Sequence, residues 1–389
     1  MSKRILLIQP VGEALELMRA CQLARVEAVP FSWLHGRGQA GAAPIDEEAL
    51  IAAAKRNAVQ GLWTDSPSVW PAVLDVAAHL NLPRLDAMGC ADAFFEVARA
   101  LEENGALVAS CHLVTGQESL RAGLERLGLP VWVRGASQMT RSVFRLVEYE
   151  ADLDMAVEMV KKRLPGTLVA LQRPVQGTTC RVVGFKHKRD FIAVDILGEE
   201  PAPGTFRVPM TWSLPSGLGG HDYMAALNLA KKTAALLPPG HGLVEIEIVL
   251  SLEGPVLTDV VLPACAHPVM NRLVELGLGV NLLAEALRVG VGQPPQLSPS
   301  REMGAAACWI PARSGVVETV RHTREALFLQ GVQAVVITAE AGDTLGHITD
   351  DVARDRIGHV IACGPTRAEA LHAARTARDR IEIVTHPMM

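Results

Sequence analysis

Three acidic residues, Glu245, Glu247 and Asp259, interrupt two runs otherwise rich in Val, Ile and Leu: Leu243 to Leu250 and Val256 to Leu262. The short connection between the runs contains Glu253-Gly254-Pro255, so the segment is expected to form a β-hairpin. Alternate side chains of a strand share a face, which puts Glu245 and Glu247 on one side and Val244, Ile246 and Ile248 on the other. Asp259 follows Glu247 by twelve positions, the spacing that returns it beside Glu247 on the partner strand. Two adjacent carboxylates repel each other, and a hard divalent cation such as Mg2+ relieves that repulsion. Two readings of the pair stand: metal ligands in a cleft, or acids on the solvated face of an edge hairpin, since unpaired burial would be costly.

Other residues carry weaker chemical signals. Leu129 to Arg134 reads as a strand ending in a cation, and Gly135 to Ser142 as a small polar loop before a second strand, Val143 to Leu146. Such a loop suits phosphate oxygens, with Arg134, Arg141 and backbone N–H groups as donors, and equally suits a solvated hairpin tip with basic residues. His267 follows the acidic hairpin, in position to act as a general base or to cap the next helix. Cys180 and Cys265 have no identifiable triad partners and are read as core residues.

These residues need a scaffold, and the rest of the chain supplies it. A length of 389 residues implies two or three domains, and 49% apolar residues are ample for burial. The net charge of −5 gives no electrostatic reason to expect nucleic acid or an anionic membrane surface. Seven dispersed cysteines without a Cys-x-x-Cys pair point to reduced thiols and the cytoplasm. The apolar run after Met1-Ser2-Lys3-Arg4 is too short for an export signal, and no run approaches a membrane span.

From the start of the chain, Arg4 to Ile8, Val26 to Phe31 and Gly61 to Thr64 read as strands alternating with helices, the pattern of a small doubly wound sheet. The first strand–helix turn supplies only Gly12 and lacks Gly-x-Gly-x-x-Gly, so no dinucleotide site is expected there. Helices are expected over Ala91 to Leu101, Ser119 to Leu127, Ala151 to Leu164 and His221 to Leu237, with apolar strands at Leu168 to Gln172 and Cys180 to Phe185.

Taken together, this order of parts resembles the ATP-grasp superfamily over nearly the whole chain. Asn81 to Asp92 resembles the entry to the first ATP-binding subdomain, and Leu129 to Arg134 the strand that carries a phosphate-binding lysine. Thr140-Arg141-Ser142-Val143 resembles the end of the flexible glycine loop, and Leu171 to Gly177 the adenine hinge. Glu247 and Asp259 match the spacing of the two acidic Mg2+ ligands, and Ala266 to Leu283 resembles the helix that follows. The segments Gly342 to Gly346, Asp355 to Gly364 and Thr366 to Val384 resemble the lid of biotin-carboxylase-like and amino-acid-ligase-like members.

The resemblance implies an α/β and α+β multidomain protein: a Rossmann-like pre-ATP-grasp domain over 1–85, an ATP-grasp domain over 86–295 with its phosphate-loop subdomain near 110–175, and a lid-like subdomain over 296–389. It implies a carboxylate–amine ligase that joins small molecules through an acyl-phosphate, with ATP and Mg2+ as cofactors, and a homodimer. In that picture Glu247 and Asp259 hold the metal, and Arg134, Thr140, Arg141, Gln172, Arg173 and Val175 hold the nucleotide. Arg134 and His267 are the catalytic candidates.

Departures from the family's pattern are equally plain. Ala93 follows Asp92 where a lysine is usual, Arg134 replaces a lysine, and the phosphate loop keeps one glycine. Gln172 replaces the hinge acid, while Val261 and Pro263 stand where the metal strand usually carries asparagine and arginine. A second function is therefore expected beside the first: a protein that keeps the fold and serves as a nucleotide- or metabolite-binding or regulatory subunit.

Overall fold

The computed structural model describes residues 3–8, 14–31, 46–66, 69–84, 90–136, 143–164, 168–202, 207–263 and 266–387, apart from the side chains of 14, 90–93, 96 and 136. Its first unit is a parallel sheet of β1 (Lys3–Ile8), β2 (Val26–Phe31) and β3 (Gly61–Trp63) in the order β2-β1-β3, with α1 (Ala14–Ala24), α2 (Glu47–Arg56) and α3 (Trp70–His79). The continuous apolar run of β1 has a simple cause, because both of its faces are covered. Ile5 and Leu7 pack with Leu17 and Ala20 of α1, while Leu6 and Ile8 pack with Leu50 of α2 and Val73 of α3. Asp46 caps α2 by accepting from the Ala49 N–H at 3.0 Å.

Next come α4 (Cys90–Glu103), β4 (Cys111–Val114), α5 (Gln117–Leu127), β5 (Val131–Ala136), β6 (Val143–Val147), α6 (Leu153–Arg163) and β7 (Leu168–Gln172). The four strands form an antiparallel sheet in the order β4-β7-β5-β6. One face buries Val131, Val133, Val169 and Leu171 against Leu120 of α5 and Val157 and Val160 of α6. Alternation then commits Trp132, Arg134, Ala170 and Gln172 to the opposite face, where Trp132 pairs with Gln172 and Arg134 with Ala170.

The remaining elements are β8 (Thr178–Lys188), β9 (Asp190–Pro201), β10 (Pro209–Leu214), α7 (Gly220–Leu236), β11 (Gly240–Ser251), β12 (Gly254–Val261), α8 (Pro268–Leu278) and α9 (Leu282–Gly290). They are followed by β13 (Gly304–Trp309), β14 (Gly315–Arg321), α10 (Thr323–Leu327), β15 (Val332–Ile337), β16 (Thr344–Leu345), α11 (Asp351–Asp355), β17 (Gly358–Gly364), α12 (Arg367–Arg380) and β18 (Glu382–His386). An eight-stranded sheet runs β12-β11-β8-β9-β10-β13-β17-β15, and β16-β14-β18 forms a separate small one. Because β10 pairs with β13, the large sheet continues across residue 296. Among the described residues no helix is long and apolar enough to cross a membrane.

Both faces of the large sheet are covered. Val182, Ile196 and Ile246 pack under Phe94 of α4 and Leu229 of α7, and Val183, Phe185 and Trp212 pack under Met270 and Leu273 of α8. Helix α9 ties the first sheet to the large one, since Ala284 and Leu287 share a core with Ile5 and Trp63. Backbones meet closely there: a Cβ at Gly61 would collide with the carbonyl of Gly290.

Candidate functional site

Strands β11 and β12 form the hairpin the sequence implies, and Glu247 stands directly opposite Asp259 in the register. The acids do not lie on a solvated face. Glu245, Glu247 and Asp259 are buried, at 3%, 5% and 3% exposure. Burial of that depth demands compensation, and arginines provide it.

Arg134 of β5 reaches across from the four-stranded sheet. Its Nη2 donates to Asp259 Oδ1 at 2.6 Å and its Nη1 to the Thr258 carbonyl at 3.3 Å. The guanidinium lies 4.4 Å from the centroid of the Phe94 ring and 5.2 Å from that of Phe144, which adds cation–π attraction in a desolvated setting. Gln172 of β7 shares this face and donates to the Thr258 carbonyl at 3.0 Å. Both side chains therefore hold the two sheets together.

Arg181 of β8 anchors the second half of the network. It binds Glu199 of β9 at 2.7 Å, Glu247 at 2.7 Å and Glu245 at 3.5 Å. Arg207, just before β10, closes on the other oxygen of Glu247 at 2.6 Å, and the Thr258 hydroxyl donates to that same oxygen at 2.9 Å. Burial alone opposes the charge on Arg181, but Glu199, Glu247 and Glu245 overcome it and hold its pKa well above the usual value. For Arg134, burial is likewise overcome, chiefly by Asp259, and the pKa is raised. All three guanidiniums belong to one lattice of charge-assisted bonds.

A cavity of about 20 Å³, room for one water, opens beside this lattice. Phe144, Arg181, Arg207, Glu247 and Asp259 line one side and Thr349, Asp350 and Asp351 the other. Arg163 of α6 approaches Asp350 at 3.6 Å, joining the four-stranded unit to this second wall. Arg354 of α11, fully buried, binds Asp351 at 2.9 Å and donates to the Pro209 carbonyl at 2.8 Å.

The residues present do not fit a Mg2+ site. Such an ion takes about six oxygens in near-octahedral array and needs carboxylate oxygens turned to it. Here both oxygens of Glu247 and one of Asp259 are already committed to guanidinium groups. Val261, two positions after Asp259 at the end of β12, is buried and apolar. Among the described residues no group of three acidic, histidine or cysteine side chains is arranged to hold a metal ion.

The other candidates separate from this centre. His267 caps α8: its Nδ1 accepts from the Val269 N–H at 3.2 Å, and its Nε2 lies 2.9 Å from Asp355. Both of its ring nitrogens are thereby engaged. Arg173 and Val175 follow β7 at exposed and half-buried positions, with the Arg173 N–H donating to the Ser110 carbonyl at 2.9 Å. Thr140, Arg141 and Cys265 lie outside the described residues. Cys180 is buried in the core with its thiol pushed up to about 12 by burial and then by Glu199 and Glu247, so it is no nucleophile.

Arg181, Arg207 and Glu199 escaped the sequence reading. A signal was present for one: Arg181 is a lone charge between Cys180 and Val182 in an apolar strand. Nothing local marks the other two.

Comparison with known proteins gives the fold. Residues 308–386 match the family model described as L-amino acid ligase C-terminal domain 2. The L-amino acid ligase of Bacillus licheniformis superposes with a TM-score of 0.76 at 16% identity, covering 99% of each chain. N5-carboxyaminoimidazole ribonucleotide synthetase from Thermotoga maritima gives 0.70 at 15% identity, over 99% of this chain and 100% of that one. Phosphoribosylglycinamide synthetase from Anaerococcus prevotii gives 0.66 at 14% identity, over 99% and 100%. A search of the curated proteins found no match. The chain has the ATP-grasp fold.

Proposed function

We propose that this ATP-grasp protein does not turn over MgATP and serves as a metabolite-binding or regulatory subunit, with its acidic pair sealed by arginines where an active relative would place metal. The observation that carries this reading is the double engagement of Glu247 by Arg181 and Arg207 at 2.7 and 2.6 Å, beside the Arg134–Asp259 pair at 2.6 Å. A permanent cation in place of a metal ion neutralises the acids and removes any need for the ion. The cysteines Cys21, Cys111, Cys180, Cys308 and Cys363 are free, in keeping with a reducing cytoplasmic setting. A homodimer completes the proposal.

A second reading is ATP-dependent ligation of a small-molecule carboxylate to an amine, and the match of residues 308–386 to an L-amino acid ligase domain favours it. It requires Arg134, Arg181 and Arg207 to let go of the acids and turn to phosphate oxygens. Isothermal titration with ATP, with and without Mg2+, separates the two. The proposal expects no Mg2+-dependent heat. Saturable binding that needs Mg2+ would favour the ligase.

A further inference from the structure

A second concavity lies away from the arginine–carboxylate lattice and shares no lining residue with its cavity. It is a groove of about 620 Å³ between β9, β10, α7 and the start of α12, within the size range of small-molecule sites. Its walls are largely apolar, through Val194, Leu214, Leu278 and Met303, and a few polar groups converge on it.

Two of those groups carry opposite charge and do not pair with each other. Asp195 receives the Ile196 N–H at 2.7 Å and the Tyr223 hydroxyl at 2.9 Å, both on Oδ1. Its Oδ2 has no partner among the described residues, and no cation there pairs with it. Burial pushes this carboxyl up, only partly offset by those two bonds, which marks an acid short of positive charge. Arg367 donates from Nε to Ser213 Oγ at 2.9 Å, and among the described residues no acid pairs with it. Its guanidinium lies against Gly217, where a Cβ would meet Cζ at 2.8 Å. Ser213 pairs with Gly198, three residues along β9 from Asp195, so the backbone positions behind the two contacts lie about 10 Å apart, and both Asp195 and Arg367 line the one groove.

We propose that this groove is a second ligand site, for a small apolar zwitterion such as an amino acid or dipeptide, with its ammonium on Asp195 Oδ2 and its carboxylate on Arg367. Tyr223 orients the Asp195 carboxylate, and the apolar walls receive the side chain. The site is independent of the function assigned to the cleft.

Isothermal titration of the full chain with L-leucine and L-leucyl-L-leucine tests it, beside N-acetyl-L-leucine and L-leucinamide, each lacking one charge. Saturable binding of at least one zwitterion is expected, weakened about ten-fold or more by blocking either charge. Asp195→Asn and Arg367→Met, each checked for an unchanged melting profile, are expected to cause the same loss, and Tyr223→Phe a smaller one. Absence of saturable binding by both zwitterions would overturn the proposal. So would equal affinity for the blocked compounds, or full affinity in a folded Asp195→Asn or Arg367→Met variant.

Discussion

Arg134 Nη2 lies 2.6 Å from Asp259 Oδ1, and the two side chains are 1% and 5% exposed. One residue comes from an inner strand of the four-stranded antiparallel sheet and the other from the edge of the large sheet, 125 positions later. The contact therefore does two things at once. It neutralises an acid that would otherwise be stranded in the interior, and it fixes the small sheet over the acidic hairpin.

Removing one member of that pair is expected to be costly. Arg134→Met leaves Asp259 buried beside Glu247 with its cation gone, and should lower stability by about 3–5 kcal/mol in urea denaturation. The double variant Arg134→Met with Asp259→Leu should recover much of the loss, because no uncompensated charge remains. A double variant as unstable as the sum of two single ones would show that the pair is not coupled.

Arg181 is expected to be the most sensitive member of the lattice. It compensates Glu199, Glu245 and Glu247 together, whereas Glu247 also has Arg207. Arg181→Met should destabilise more than Glu247→Gln, by a margin of about 2 kcal/mol or more. Denaturation of both variants at the same pH checks the order, and a reversed order would contradict the assignment of Arg181 as the hub.

Acid sensitivity should come from two half-buried histidines. Burial, then His267 nearby, lowers the His359 pKa to about 4 against the opposing pull of Asp355. Burial, then His187 and Lys188, lowers His241 to about 4 as well. An unfolded chain protonates both near the ordinary value of 6.5 and so binds more protons than the folded one below it. Their contribution is fully present above that value and is lost as pH falls from about 6.5 towards about 4. Melting temperatures measured across that window should fall for the wild type and fall less steeply for His359→Phe. Parallel curves would mean that His359 does not titrate as its burial requires.

The sequence was informative where structure is local. The acidic hairpin follows from β-rich runs around a tight turn, and Glu247 opposite Asp259 follows from counting. Strand β1 follows from a continuous apolar run. What could not be read depends on the order of strands in the large sheet. Arg181 faces Glu247 because β8 pairs with β11, and faces Glu199 because β8 pairs with β9, a strand with no clear alternation in the sequence. Arg207 reaches the site from the approach to β10, which also went unrecognised. The sequence placed acids and guanidiniums on opposite walls of a cleft with room between them for a triphosphate. In the fold the guanidiniums reach the acids directly, a distinction that depends on a few ångströms of side-chain reach and leaves no trace in spacing.

The most direct measurement is ADP release from ATP by the purified full chain, with Mg2+ present, across mixtures of amino acids as carboxylate and amine donors. No release above the metal-free background is predicted, and none in the Glu247→Gln variant. Mg2+-dependent release that Glu247→Gln abolishes would contradict the sealed-site account and restore these acids as metal ligands of a working ligase.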